Sequence, residues 1–279
     1  SGKVARMKWF RRIVGGLVVV AVLGYGGVLA YVYVDQRALQ YEAGGKMFAL
    51  SETTLKHAQV VSIPSGEGSG LAAWYEAPQP GKPLIVYYRG NALSFSREHA
   101  RYEAMEADGY GFLAFDYRGF GGSPGDISQE HVLQDALAAF DWAAAKGFPL
   151  VIWGRSLGSG PATYVASERR ADALYLETPF DSATAVARDR YWYLPVDLLM
   201  EDKYPVDQWI EKVDEPVFVA HGTADTTVGV QHGQRVYELA PHKAGLWLEE
   251  GADHDDLWAR GEWAKAKGFF EQVEAGKGS

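Results

Sequence analysis

The sequence predicts an α/β domain built on a mostly parallel, doubly wound sheet, preceded by one N-terminal transmembrane helix. Three observations carry this expectation. Continuous apolar runs of strand length recur at Leu84–Tyr88, Gly111–Phe115, Leu150–Trp153, Ala173–Leu176 and Val217–Ala220. Such runs suit strands covered on both faces, as in a parallel sheet. Segments with helical patterning alternate with them, and residues 13–34 carry no charge at all.

Residues 1–12 form a basic flank that holds Lys3, Arg6, Lys8, Arg11 and Arg12 and no acid. Residues 13–34 (IVGGLVVVAVLGYGGVLAYVYV) would span about 33 Å as a helix, enough for a bilayer core. Tyr31 and Tyr33 fall near one end, where aromatic rings favour the interface. Arg11 and Arg12 precede the segment and Asp35 follows it. The positive-inside rule then places the N-terminus in the cytoplasm and the rest of this single-pass protein on the outer, periplasmic or luminal, side. The lipid bilayer is the expected partner of residues 13–34. A cleaved signal peptide with its cut near Val28-Leu29-Ala30 is one competing reading, but the run is long for that. A buried core helix is another, and it needs protein on every side.

Residues 35–57 read as a polar connection and residues 58–279 as the α/β domain. Ala58–Ile63 and Leu71–Ala77 alternate like paired strands around the turn-rich PSGEGSG, and Leu246–Leu248 reads as a short last strand. Helices are expected at Ser96–Ala107, Ser128–Lys146, Leu157–Ser167, Val230–Leu239 and Asp256–Val273. Residues 180–214 read as a short cap-like segment, dense in apolar and aromatic residues. Tyr191, Trp192 and Leu198 are candidate substrate-binding residues there, lining an acyl pocket that opens toward the bilayer. Two short helices packed on the sheet are the alternative.

Composition narrows the function. The chain is 47% hydrophobic and 23% charged, the balance of a globular protein. Five of its 27 basic residues lie in the flank, which leaves 22 bases against 36 acids beyond it. Nothing there concentrates positive potential for phosphates, so nucleic acid is not an expected partner. The chain has no cysteine, which excludes a thiol nucleophile, a thiolate metal site and disulfides. No histidine–carboxylate spacing of the HExxH kind occurs, so neither metal nor organic cofactor is expected.

The chemistry concentrates where LVIW runs into Gly154-Arg155-Ser156-Leu157-Gly158. This G-x-S-x-G lies between an expected strand and an expected helix, the context that exposes a nucleophilic serine on a sharp turn. Its partners should follow in the order acid, then histidine. Asp225 lies just past VFVA, in HGTAD, and His254 follows the strand-like GLWLEE and a turn. Ser156, Asp225 and His254 are therefore the candidate catalytic residues. His254 would accept the serine proton, and Asp225 would orient its ring. The backbone N–H groups of Asn91, in the loop after LIVYY, and of Leu157 are the candidate oxyanion donors. His221 reads as a hydrogen-bonding residue of the acid loop, and His232 and His242 as solvated. Asp253, Asp255 and Asp256 flank His254 and are expected either to tune its charge or to cap the last helix.

From about residue 58 onward the chain resembles the membrane-anchored α/β-hydrolase domain-containing proteins of the bud-emergence type, whose wider relatives include protein depalmitoylases. The matching stretches are YYRGNA, FDYRGFGGSPG, GRSLGSG, ETPFDS, YLPVDLLMEDKYP, HGTAD and GADHDDL. The resemblance implies the α/β-hydrolase fold, an N-terminal membrane segment and a triad at Ser156, Asp225 and His254. One departure stands out: Arg89-Gly90-Asn91 replaces the family's usual His-Gly-Asn. Arg89 is thus a candidate for recognising an anionic substrate, or else the partner of a nearby carboxylate. The expected reaction is hydrolysis of an acyl ester or thioester of a lipid-like small molecule through an acyl-serine, as a carboxylesterase or thioesterase performs it. A serine peptidase or amidase, and a catalytically silent membrane-anchored scaffold, are the alternatives.

Overall fold

The structure, a computed structural model, describes residues 2–66 and 69–277. Its strands are β1 (Gln59–Ser65), β2 (Ser69–Glu76), β3 (Leu84–Tyr88), β4 (Gly111–Phe115), β5 (Leu150–Arg155), β6 (Ala173–Glu177), β7 (Val217–Gly222) and β8 (Lys243–Glu249). Among the described residues they form one sheet in the order β1-β2-β4-β3-β5-β6-β7-β8. β1 pairs antiparallel with β2, and β2 with β4; every pairing from β4 through β8 is parallel. β3, β4 and β6 are buried along their whole length, as their uninterrupted apolar sequence requires.

The helices are α1 (Gly2–Gln40), α2 (His99–Ala107), α3 (Gln129–Ala144), α4 (Ser159–Glu168), α5 (Ala183–Arg190), α6 (Val196–Leu199), α7 (Val206–Ile210), α8 (Val230–Leu239) and α9 (Glu262–Lys277). Side-chain alternation along β3 divides the core. Leu84, Val86 and Tyr88 face Val132 and Ala136 of α3, Val165 of α4 and Val236 of α8. Ile85 and Tyr87 face Tyr102 and Met105 of α2 and Phe269 and Phe270 of α9. Serine side chains start two of these helices: Ser128 accepts from His131 N–H at 3.1 Å and Ser182 from Ala185 N–H at 3.0 Å. Helices on both faces make the sheet doubly wound. At β3 the chain has β4 on one side and β5 on the other, so the winding direction reverses there. Open α/β sheets gather their ligand sites beyond the strand ends at such a point.

Boundaries toward both ends of the chain differ from the sequence reading. α1 runs through the basic flank and six residues into the expected connection, because nothing from Gly2 to Gln40 breaks the helix. Its last turn is polar and tied to the domain: Gln36 donates to Leu199 O at 3.1 Å, and Arg37 pairs with Asp202 at 3.2 Å. The connection then docks, with Tyr41 buried and its hydroxyl donating to Asp202 at 2.8 Å. Near the C-terminus, Gly261 takes a left-handed φ of +94°, which separates a short 3₁₀ turn (Trp258–Arg260) from α9.

The apolar stretch of α1 has a mean hydropathy of 2.3 over 18 residues, and none of that stretch is buried. The helix is long and apolar enough to cross a membrane. With none of that stretch buried, the buried-core reading does not hold.

Candidate active site

β5 ends in a turn that only its own residues permit. A Cβ on Gly154 would come within 2.5 Å of Ala162 Cβ and 2.8 Å of Gly158 O, and one on Gly158 would strike the carbonyl oxygens of Tyr88 and Arg89. With both side chains absent, α4 closes onto β3 and β5. Ser156, at the apex, adopts φ +50°, a left-handed conformation that is strained for a non-glycine residue. That strain turns its hydroxyl out beyond the ends of the strands.

The Ser156 hydroxyl meets His254 Nε2 at 2.8 Å, and His254 Nδ1 meets Asp225 Oδ2 at 2.7 Å. The structure thus brings together the three residues that the sequence singles out, from loops after β5, β7 and β8. Asp225 is buried, and its other oxygen accepts from Thr227 N–H at 2.9 Å and Val228 N–H at 2.8 Å. Burial alone would raise its pKa. Hydrogen bonds from His221 and His254, the charge of His254 and the Val228 N–H outweigh burial and hold the carboxyl well below its usual range. His221 is the second histidine on this acid: Nε2 lies 2.8 Å from Val228 O and 3.2 Å from Asp225 Oδ2.

The acids around His254 shape its loop. Asp253 accepts from Thr226 N–H and from His254 N–H, both at 2.8 Å, and so stitches the histidine loop to the Asp225 loop. Asp256 accepts from Asp253 N–H at 2.8 Å. Asp255 receives a 2.5 Å contact from Arg155 Nη2. None of the three caps α9, which starts at Glu262.

Arg155 belongs to a buried network that the sequence reading missed. It reaches Glu98 at 2.6 Å and Glu177 at 3.0 Å, and Arg101 grips Glu177 with two bonds of 2.8 Å. Glu262, fully buried beside Glu177, completes the cluster, 3.5 Å from Arg101 and 3.2 Å from the Tyr175 hydroxyl. Burial and the neighbouring Glu177 charge raise the Glu262 pKa well above its usual range, while the two arginines hold Glu177 below its usual range despite its burial. Arg155 stands in the nucleophile motif and Glu177 in ETPF, but nothing in a sequence marks them as partners.

The loop after β3 passes beside Ser156: a Cβ on Gly90 would lie 3.7 Å from Ser156 Cβ. Asn91 follows, and its side chain accepts from Glu42 N–H at 3.0 Å and donates to Gln40 O at 2.8 Å. This side chain therefore fastens the end of α1 to the loop. Leu157 is buried directly after the nucleophile position.

Two expectations are corrected, at Arg89 and at His232. Arg89 is buried, pairs with Asp116 at 3.4 Å and lies 4.7 Å over the Phe120 ring, so it is not placed to meet an incoming anion. The carboxylate partner is the reading that holds. Tyr191, Trp192 and Leu198 are exposed at 38%, 81% and 84% and form an outward patch on the cap-like segment. His232 is buried, not solvated: it bridges Asp181 at 2.7 Å and Asp189 at 2.9 Å. A cavity lined by Asp172, Pro216, Ala244 and Phe269 lies at the opposite, N-terminal ends of the strands and has no part in this site.

Comparison with solved structures decides the fold. An esterase of Pyrococcus furiosus superposes with a TM-score of 0.65 at 19% identity, covering 84% of this chain and 97% of that one. The α/β hydrolase GrgF of Penicillium gives 0.66 at 13% identity, covering 79% and 100%. This is the α/β-hydrolase fold. A family model described as serine aminopeptidase, S33, matches residues 79–191. An uncharacterised protein of Mycobacterium tuberculosis is 29% identical over 86% of this chain and 88% of its own length. Human protein ABHD12B is 32% identical over 64% of this chain, and the zebrafish lysophosphatidylserine lipase ABHD12 is 33% identical over 63%. The matches cover only 57% and 52% of those two relatives.

Proposed function

We propose that this chain is a membrane-anchored serine hydrolase that cleaves the carboxylic ester or thioester of a lipid-like molecule through an acyl-serine. The observation that carries the reading is the unbroken relay from Ser156 through His254 to Asp225, at 2.8 and 2.7 Å. In the first half-reaction Ser156 Oγ attacks the acyl carbon and His254 Nε2 accepts its proton. Asp225 stabilises the imidazolium without taking the proton. The carbonyl oxygen becomes an oxyanion held by the N–H groups of Leu157 and Asn91. Collapse expels the alkoxide or thiolate, which takes the proton from His254 and leaves as alcohol or thiol. Water then attacks the acyl-serine while His254 accepts a proton and returns it to Ser156, releasing the carboxylic acid.

Anchoring by residues 13–34, with the catalytic domain outside, is part of the same proposal and rests on the uncovered apolar stretch of α1. The name of the zebrafish relative, a lysophosphatidylserine lipase, supports a single-chain lipid ester as the substrate class. The serine aminopeptidase description supports a second reading, amide cleavage by the same relay. A panel of p-nitrophenyl esters of graded chain length, run beside aminoacyl p-nitroanilides, separates the two. Turnover of the esters is expected; turnover of the anilides alone would favour the peptidase. Retention of the full chain in the membrane fraction after alkaline washing tests the anchor.

A further inference from the structure

Tyr25 lies well inside the uncharged run of α1, yet its hydroxyl donates to the backbone of the cap-like segment, at Tyr193 O and 2.8 Å. The contact is the far end of a continuous seam. From the domain outward, Gln40 donates to Asp202 O at 3.0 Å, Gln36 accepts from Glu201 N–H at 2.8 Å and donates to Leu199 O, and Tyr25 reaches Tyr193. Residues 193–202 therefore run along the last turns of the helix. At 1.5 Å per residue, Tyr25 sits about 14 Å along the helix from Val34, where the uncharged run ends. If that run fills a hydrocarbon core of about 30 Å, Tyr193 cannot stay in water.

Resting on the anchored reading above, we propose that residues 191–198 insert into the outer leaflet beside α1. The occupant of the exposed patch is lipid acyl chain. The surface has the chemistry for it: Trp192, Tyr193 and Leu198 are exposed at 81%, 52% and 84%, and the patch is continuous with the uncovered apolar face of α1. The Tyr25 hydroxyl, which hydrocarbon would otherwise strand, is satisfied by the segment that descends with it. Two of the nearby charges have partners, and Arg190 lies 5.9 Å over the Tyr191 ring. Asp197 is paired with Arg188 at 2.5 Å and its carbonyl with Lys203 at 2.8 Å, and long basic side chains can extend their charges toward the headgroups. Substrate in the leaflet would then meet the cap without crossing water.

The chain has no cysteine, so single nitroxide labels can be placed at will. Trp192→Cys, Leu198→Cys, Leu17→Cys and Ala145→Cys full-length variants are labelled and reconstituted in phosphatidylcholine vesicles. Relaxation by oxygen, which favours lipid, is compared with relaxation by a water-soluble nickel chelate. Labels at 192 and 198 are expected to share the high oxygen-to-nickel ratio of Leu17, with Ala145 low. A high ratio at Leu17 with 192 and 198 as low as Ala145 would overturn insertion and leave the anchor standing. A low ratio at Leu17 itself would remove the anchor and the insertion with it. Shielding of 192 and 198 from both agents would mean that protein covers the patch, and would also overturn the proposal.

Discussion

Arg155 Nη2 lies 2.5 Å from Asp255 Oδ1, joining the residue before Ser156 to the residue after His254. The two halves of the relay come from loops 98 residues apart, and this ion pair is a direct side-chain tie between them. Asp255→Asn should lower kcat by about tenfold to a hundredfold with KM unchanged, because the imidazole loses its fixed position. Its carboxylate is largely exposed, so the loss of stability should not exceed about 1 kcal/mol. Arg155→Met removes a buried partner of Glu98 and Glu177 as well, and should cost about 3–5 kcal/mol. Urea unfolding beside steady-state kinetics separates the two effects. An Asp255→Asn enzyme with full kcat would show that the tie is unnecessary.

Asp225→Asn should leave the loop in place, since Thr227 and Val228 N–H can still bond an amide oxygen. Turnover should nevertheless fall by about 10⁴-fold, because the amide favours the wrong tautomer of His254. The Asp225 carboxyl is held below its usual range, so it remains ionised wherever the enzyme is assayed. The acid limb of kcat/KM should therefore not follow this group. A limb that vanished in Asp225→Glu while activity remained would contradict the assignment.

Glu262 offers a test by pH. Its folded pKa is raised by burial and by the charge of Glu177, so between the unfolded and folded values the folded protein binds a proton that the unfolded chain releases. The stability this group supplies is complete below the unfolded value of about 4.3 and declines as pH rises toward the folded one. Glu262→Gln carries no such dependence, so its stability relative to the parent should grow from pH 4 to pH 8. Unfolding by urea at both ends of that range gives the answer. A glutamine variant that loses ground with rising pH would contradict the raised pKa of Glu262.

His232 should respond in the same direction for a different reason. Burial lowers its pKa, but the bonds and charges of Asp181 and Asp189 more than reverse this and raise it above 6.5. The clamp between α8 and α5 is then fully formed below about 6.5 and is lost as pH rises through the raised value. His232→Gln should lower the melting temperature at pH 6, with the difference shrinking by pH 9. A constant difference would mean that packing rather than charge holds the clamp.

The sequence was most legible where one residue class filled a whole element. β3 and β4 begin and end where their apolar runs do, and α8 keeps its expected bounds. β5 and β7 run on into Arg155 and into His221-Gly222, because ladder pairing continues past the last apolar residue. Ser156, Asp225 and His254 could be read because the elbow glycines and the strand-end loops are local features. Arg89, His232 and the Arg155 network could not. Each is a polar group whose burial depends on a partner brought in by the tertiary fold, such as Asp116 or Asp181. Nor did composition reveal that Tyr191, Trp192 and Tyr193 are exposed while Phe180 and Tyr204 of the same segment are buried.

The central claim is that Ser156 is an activated nucleophile. A fluorescent fluorophosphonate incubated with the full-length protein in detergent tests it in one step. The account predicts stoichiometric labelling of the parent at Ser156, located by peptide mass, and none of Ser156→Ala, with the two proteins unfolding at the same urea concentration. Equal labelling of the alanine variant, or a folded parent that never labels, would contradict it.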